Sequence, residues 1–280
     1  MSVNTPVAEI GQSFATARDG TRLAYKLIPG APGKRFVLSH SLAMNGDFWR
    51  RVAEPLREAG DVLVWDCRGH GASDKPAGPY TTDLFADDLA DLMDTVGWFT
   101  AVVAGCSMGG CVSIAFAEKY PERMDALGLI DTTAWYGADA PTAWEDRASK
   151  ALQGGMQALV DFQRTRWFSD AFRASRPDVV DAAVAVFVAN DLNAYAETCR
   201  MLGAFDKRGA LPHIAVPTAI VVGSEDYATP VSMAEATHEA VPGSTLQVIE
   251  GVRHFNPLEC PELIAKALAE LDRRQEVDVG

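Results

Sequence analysis

The run Ala101-Val102-Val103-Ala104-Gly105-Cys106-Ser107-Met108-Gly109-Gly110 decides the fold of this chain. Its first four residues are apolar without alternation, the pattern of a strand covered on both faces. From Met108 onward the apolar residues Met108, Cys111, Val112, Ala115 and Phe116 keep the i, i+3, i+4 spacing of a helix. A strand that turns at once into a helix forces the residue at the junction, Ser107, into a strained backbone conformation. Gly105 and Gly109 leave room for the close backbone approach this requires. The Ser107 hydroxyl then stands at a helix amino terminus, where free N–H groups and the helix dipole favour developing negative charge. A packing turn of small residues would explain the glycines but not the strand and helix on either side.

Working outward, residues 13–17 and 23–26 flank Arg18-Asp19-Gly20-Thr21, which contains the Asp-Gly hairpin signal. Phe36-Val37-Leu38, Val62-Leu63-Val64-Trp65, residues 126–130, residues 219–222 and residues 246–249 are further continuous apolar runs. Helical patterns lie between most of them, including a stripe of Leu258, Leu263, Ile264, Ala267, Leu268 and Leu271. Alternating strands and helices predict an α/β fold: a doubly wound, mostly parallel sheet of eight strands. Between residues 132 and 208 the rhythm breaks. No strand is evident there, but helices are, one starting at Pro177-Asp178 and one spanning about 191–202. The organisation expected is therefore a core of residues 1–132 and 209–280, with residues 133–208 as a helical lid inserted between strands.

A serine needs a base, and the base needs an orienting acid. Of five histidines, His213 and His238 read as surface residues; His40 ends an early strand and His70 lies in the turn Arg68-Gly69-His70-Gly71, both candidates to line the pocket, but neither follows an acid in the required order. His254 follows the last strand in Gly251-Val252-Arg253-His254-Phe255, and the chain order serine, acid, histidine suits this architecture. Asp226, after Val221-Val222-Gly223-Ser224-Glu225, is the acid expected, with Asp131 at the end of an earlier strand as the alternative. Two N–H donors must hold the oxyanion: Met108, next after the nucleophile, and Leu42 in the loop Ser39-His40-Ser41-Leu42.

Composition narrows the setting. The 280 residues carry 38 Asp+Glu against 25 Lys+Arg, a net charge of −13, which argues against nucleic acid as a partner. Residues 1–17 lack the pattern of a signal peptide, and no apolar run reaches membrane-spanning length. Cys67, Cys106, Cys111, Cys199 and Cys260 are scattered, match no metal pattern, and read as free thiols of a reducing cytoplasm.

Leu38-Ser39-His40-Ser41-Leu42, Asp66-Cys67-Arg68-Gly69-His70-Gly71-Ala72-Ser73, Gly78-Pro79-Tyr80-Thr81, Ser107-Met108-Gly109-Gly110, Arg166-Trp167-Phe168, Ala228-Thr229-Pro230, and His254 with Glu259 together resemble the 3-oxoadipate enol-lactonases, α/β-hydrolases of aromatic degradation. The resemblance spans roughly residues 13–270. It implies hydrolysis of a lactone or small carboxylic ester by Ser107, Asp226 and His254, on a small-molecule substrate, without a cofactor, in a monomer or homo-oligomer. Three positions depart from the family pattern: His40 stands for asparagine, Cys106 for leucine, and Phe255-Asn256 for a small polar pair. Substrate contacts are expected from His40, Ser41, Trp135, Trp144, Trp167 and Phe255, with Arg68 and Arg166 as candidates for a substrate carboxylate. Two other readings fit the same residues: hydrolysis of a carbon–carbon bond in a β-diketone-like substrate, and a non-turnover small-molecule receptor on the same fold.

Overall fold

The computed structural model describes residues 11–271. The readings that fall on residues 1–10 and 272–280, including the outer limits of the expected core, lie outside them. The described residues form eight strands: β1 (Ser13–Thr16), β2 (Arg22–Ile28), β3 (Lys34–Ser39), β4 (Gly60–Trp65), β5 (Ala101–Cys106), β6 (Met124–Ile130), β7 (Thr218–Gly223) and β8 (Thr245–Ile249). They form one sheet in the order β1-β2-β4-β3-β5-β6-β7-β8. The two pairings of β2 are antiparallel and all others are parallel. The predicted hairpin joins β1 to β2, with Gly20 at φ +88° and its N–H donating to the Ala17 carbonyl.

The parallel strands are joined by α1 (Arg50–Leu56), α2 (Thr82–Thr95) and α3 (Met108–Lys119). Five helices then intervene between β6 and β7: α4 (Ala140–Gly154), α5 (Val160–Trp167), α6 (Asp170–Ser175), α7 (Pro177–Val188) and α8 (Leu192–Gly203). The sheet resumes through α9 (Val231–Ala240) and ends with α10 (Asn256–Glu259) and α11 (Pro261–Ala269). Pro177 is at the first turn of α7, and the Asp191 carboxylate caps α8 by accepting the Asn193 and Ala194 amides. The carboxyl ends of the strands share one edge, since Ser39 pairs with Gly105, Cys106 with Ile130, and Gly223 with Ile249. In such sheets ligands bind outside that edge.

Two periodic patterns resolve differently from their sequence reading. Every residue of α3 from Met108 to Ala117 is buried, not just one stripe, because the helix lies between the sheet and α2. The terminal stripe is broken at Cys260 into two helices, which leaves Leu263 exposed. β8 also departs from expectation: it is the edge strand, and Val248 remains 43% exposed. No single helix among the described residues is long and apolar enough to cross a membrane.

Candidate active site

Ser107 occupies φ +55°, ψ −116° at the junction of β5 and α3. Two close approaches hold it there. A Cβ on Gly109 would lie 2.0 Å from the Ser39 carbonyl oxygen, and one on Gly105 would lie 2.1 Å from the Gly109 carbonyl group. The turn is pinned from the β6 side as well: the Ser107 N–H donates to Ile130 (2.9 Å), and the Thr132 hydroxyl donates to the Ser107 carbonyl (2.7 Å). A strained backbone persists only where its surroundings over-determine it, and these contacts do so.

The three residues singled out from chain order meet. His254 Nε2 lies 2.9 Å from Ser107 Oγ, and His254 Nδ1 lies 2.7 Å from Asp226 Oδ2. Asp226 is held by the amides of Ala228 (2.7 Å) and Thr229 (2.9 Å) and by the Thr229 hydroxyl (2.9 Å). Burial alone would push this carboxyl up. His254 and these donors outweigh it and hold Asp226 below the ordinary carboxylate value. With Asp226 ionised, His254 carries its proton on Nδ1 and presents Nε2 as the acceptor for the serine proton. Asp131 does not reach the imidazole. It sits at φ +47° and accepts from the amides of Gly223 and Asn256 and from the Asn256 side chain. It thus ties together the loops that carry Asp226 and His254.

The Met108 amide begins α3 and the Leu42 amide follows β3; among the described residues neither donates to another protein group. Leu42 and Ser41 both line the hollow above Ser107. His40, expected as a substrate contact, is instead wholly buried beneath this loop. Its Nδ1–H donates to the Ser41 carbonyl (2.8 Å), and its Nε2 accepts from the Cys67 amide (3.0 Å). His40 therefore ties the oxyanion loop to the loop after β4. His70, also buried, packs edge-on at 5.0 Å. Burial pushes His40 down to about 4, and burial together with His40 pushes His70 down to about 3.

Both rings are therefore neutral when folded, whereas unfolded histidine titrates near 6.5. The unfolded chain binds more protons below that pH, so stability is expected to fall as pH drops from 6.5 towards 4. His40 alone accounts for about 3 kcal/mol of that loss. Urea midpoints measured at pH 7, 5.5 and 4.5 check this, and a His40→Gln variant should show a shallower decline.

The hollow above Ser107 encloses about 430 Å³, its solvent-open mouth included. Trp144 of α4 and Trp167 of α5 line it as expected. Besides His40, two expected contacts do not. Trp135 faces a separate groove against α9, with the Arg208 guanidinium 3.8 Å over its ring. It pairs with Asp206 in an isolated β-bridge, and in extended backbone successive side chains point opposite ways. The neighbouring Tyr136 consequently faces the Ser107 hollow. Phe255 is fully buried behind His254, stacked on Trp167 at 4.8 Å and edge-on to Phe48 at 5.0 Å. Its backbone must turn away from the pocket for the preceding imidazole to point into it.

Arg68 is likewise no substrate ligand. It is buried, with Nε 2.6 Å from Asp88 and Nη1 2.9 Å from Asp19. Arg166 does line the hollow, and so does Arg147, which the sequence reading did not single out. Among the described residues, neither hydrogen-bonds a carboxylate. Arg147 Nε donates to the Tyr195 hydroxyl (2.7 Å), and Arg166 Nη2 donates to the Tyr227 carbonyl (2.7 Å). Burial, and then the charge of Arg147, pull Arg166 below its ordinary value. Two cations share one hollow, and among the described residues no carboxylate lines it. Helical spacing would have found them: Arg147 is three residues after Trp144, and Gln163, Arg166 and Trp167 follow i, i+3, i+4 on α5.

Residues 34–261 match the family described as alpha/beta hydrolase fold, and the chain belongs to that family. Within it the chain is an enzyme, a carboxylic ester or lactone hydrolase, as the following relatives show. It is 29% identical over 259 residues to 3-oxoadipate enol-lactonase 2 of Acinetobacter baylyi, covering 92% of this chain and 96% of the relative. The crystal structure of the enol-lactonase from Burkholderia xenovorans LB400 superimposes with a TM-score of 0.88 at 31% identity, covering 92% of this chain and 99% of that one. A thermophilic esterase from Thermogutta terrifontis, solved with malate bound, gives 0.86 at 28% identity, with 94% and 97% covered.

Proposed function

We propose that this enzyme opens a lactone, or cleaves a small ester, that carries a free carboxylate. Ser107 attacks the carbonyl, His254 takes its proton and later activates water, and Asp226 orients His254. The amides of Leu42 and Met108 hold the oxyanion, and helices α4 to α8 form the lid. The reaction draws only on these groups and water. The observation that carries the substrate class is the unpaired couple Arg147 and Arg166 in the hollow above Ser107. Both guanidinium groups are half-buried and hydrogen-bond only neutral oxygens, and a planar carboxylate is the partner their fork fits. The net charge of −13 would repel such a substrate from most of the surface, so the local cations matter the more. The T. terrifontis relative was solved with malate, a dicarboxylate, bound.

The test compares a five-membered lactone bearing a carboxymethyl side chain with its methyl ester. The wild type should prefer the free acid, and Arg166→Met should raise KM for the acid by about tenfold to a hundredfold while leaving the methyl ester unaffected. Equal kcat/KM for acid and ester in the wild type would remove the carboxylate. The carbon–carbon reading asks for polar lid groups beside a carbanion, and Gln163 and Arg166 do reach the hollow. A β-diketone acid therefore belongs in the same panel, with no turnover expected.

A further inference from the structure

We infer that Tyr136 is a further catalytic residue, donating a hydrogen bond to the leaving oxygen as the acyl–oxygen bond breaks; this rests on Ser107 as the nucleophile. Tyr136 lines the Ser107 hollow, and its ring is fixed edge-on against Trp144 at 5.2 Å. Its hydroxyl lies 3.7 Å from the Cys111 sulfur, one helical turn beyond Ser107. That sulfur also donates to the Thr133 carbonyl (3.6 Å), which leaves its lone pairs as the phenol's acceptor. Sulfur is a weak acceptor, so the phenol gives up little when it turns to an oxygen in the hollow. Burial, and then Cys111, push the phenol well above its ordinary value, so it keeps its proton at any working pH.

Topology settles which oxygen it serves. β5, which delivers Ser107, lies between β3 and β6. The Leu42 amide comes from the β3 side and draws the carbonyl oxygen that way. Tyr136 follows β6, and His254 follows β8 on the same flank. The leaving oxygen must face His254 to receive its proton, and Tyr136 lines the hollow on that same flank. In acylation the Ser107 Oγ–carbon bond forms and the carbon–oxygen bond breaks. The serine proton passes through His254 to the leaving oxygen, while the Tyr136 hydrogen bond steadies the charge on it. Tyr136 ends the step with its own proton.

Tyr136→Phe removes one oxygen and keeps the ring. Ethyl acetate and p-nitrophenyl acetate form the same acetyl-enzyme and differ only in the leaving group, so their kcat/KM values isolate its departure. The variant should lose about tenfold to a hundredfold on ethyl acetate and less than about threefold on p-nitrophenyl acetate, whose leaving group needs little help. An equal loss on both esters, or no loss on either, would overturn the assignment. If Tyr136→Phe does not stay folded by circular dichroism, Tyr136→Leu is compared in the same way. Ser107→Ala assayed alongside separates the two ideas: its full activity would sink the nucleophile assignment itself, whatever Tyr136→Phe does.

Discussion

Ser107→Ala is expected to lower turnover of p-nitrophenyl acetate and of five-membered lactones by about a millionfold. The substitution removes the one hydroxyl that faces His254 Nε2, at 2.9 Å, and so ends the covalent route altogether. It leaves the Leu42 and Met108 amides in place. A residual acceleration of about a thousandfold over water should remain from oxyanion stabilisation and binding. The φ of +55° at position 107 strains alanine as it does serine, so the melting temperature should hardly move. A variant that still hydrolyses near the wild-type rate would place the nucleophile elsewhere, and sequence alone would point next to Cys106. The structure argues against that thiol. It is fully buried, and its sulfur has only weak contacts, at 3.9 Å, with Asp131 and the His254 carbonyl. Burial, and then Asp131 and Asp226, raise it well above the ordinary thiol value, so it stays protonated and unreactive.

Asp226→Asn is expected to cost about ten-thousandfold in kcat with little change in KM. The asparagine would occupy the same volume and could keep the Thr229 contact. Its amide, however, can donate to His254 Nδ1, which selects the wrong tautomer. Nε2 would then carry the proton and face Ser107 with no lone pair to accept. Rates with the lactone panel check this, together with the histidine ring signals in nitrogen NMR, which should show the tautomer exchanged. Retention of more than a hundredth of the activity would show that another acid serves His254. Asp131 would be the first to test, although its oxygens face Gly223 and Asn256 and not the imidazole.

Much of this site was legible before the fold was known, for a local reason. The strand, the glycine turn and the helix around Ser107 are contiguous, and so are the strand ends before Asp226 and His254. Where a residue follows a strand within a few positions, its place at the sheet edge is set by its place in the chain. The misreadings share a cause too. His40, Trp135 and Phe255 sit next to true site elements in sequence, yet their side chains point away. For two of them backbone direction at one residue reverses the outcome: extended pairing turns Trp135 outward and Tyr136 inward, and the turn that aims His254 at Ser107 buries Phe255 behind it.

The apolar runs and the order serine, aspartate, histidine were enough to define an eight-stranded α/β sheet and the reacting residues on its edge, because burial on both faces and strand-to-helix turns are written in short contiguous segments. The pairing of charges was not. Arg68, which reads as a candidate for a carboxylate, is neutralised by Asp19 and Asp88, from 49 residues before it and 20 after. Arg147 and Arg166, on two different helices of the insertion, face the Ser107 hollow, and among the described residues neither hydrogen-bonds a carboxylate. Whether a charge is satisfied depends on which distant groups the chain brings within a few ångströms, and only the folded arrangement decides that.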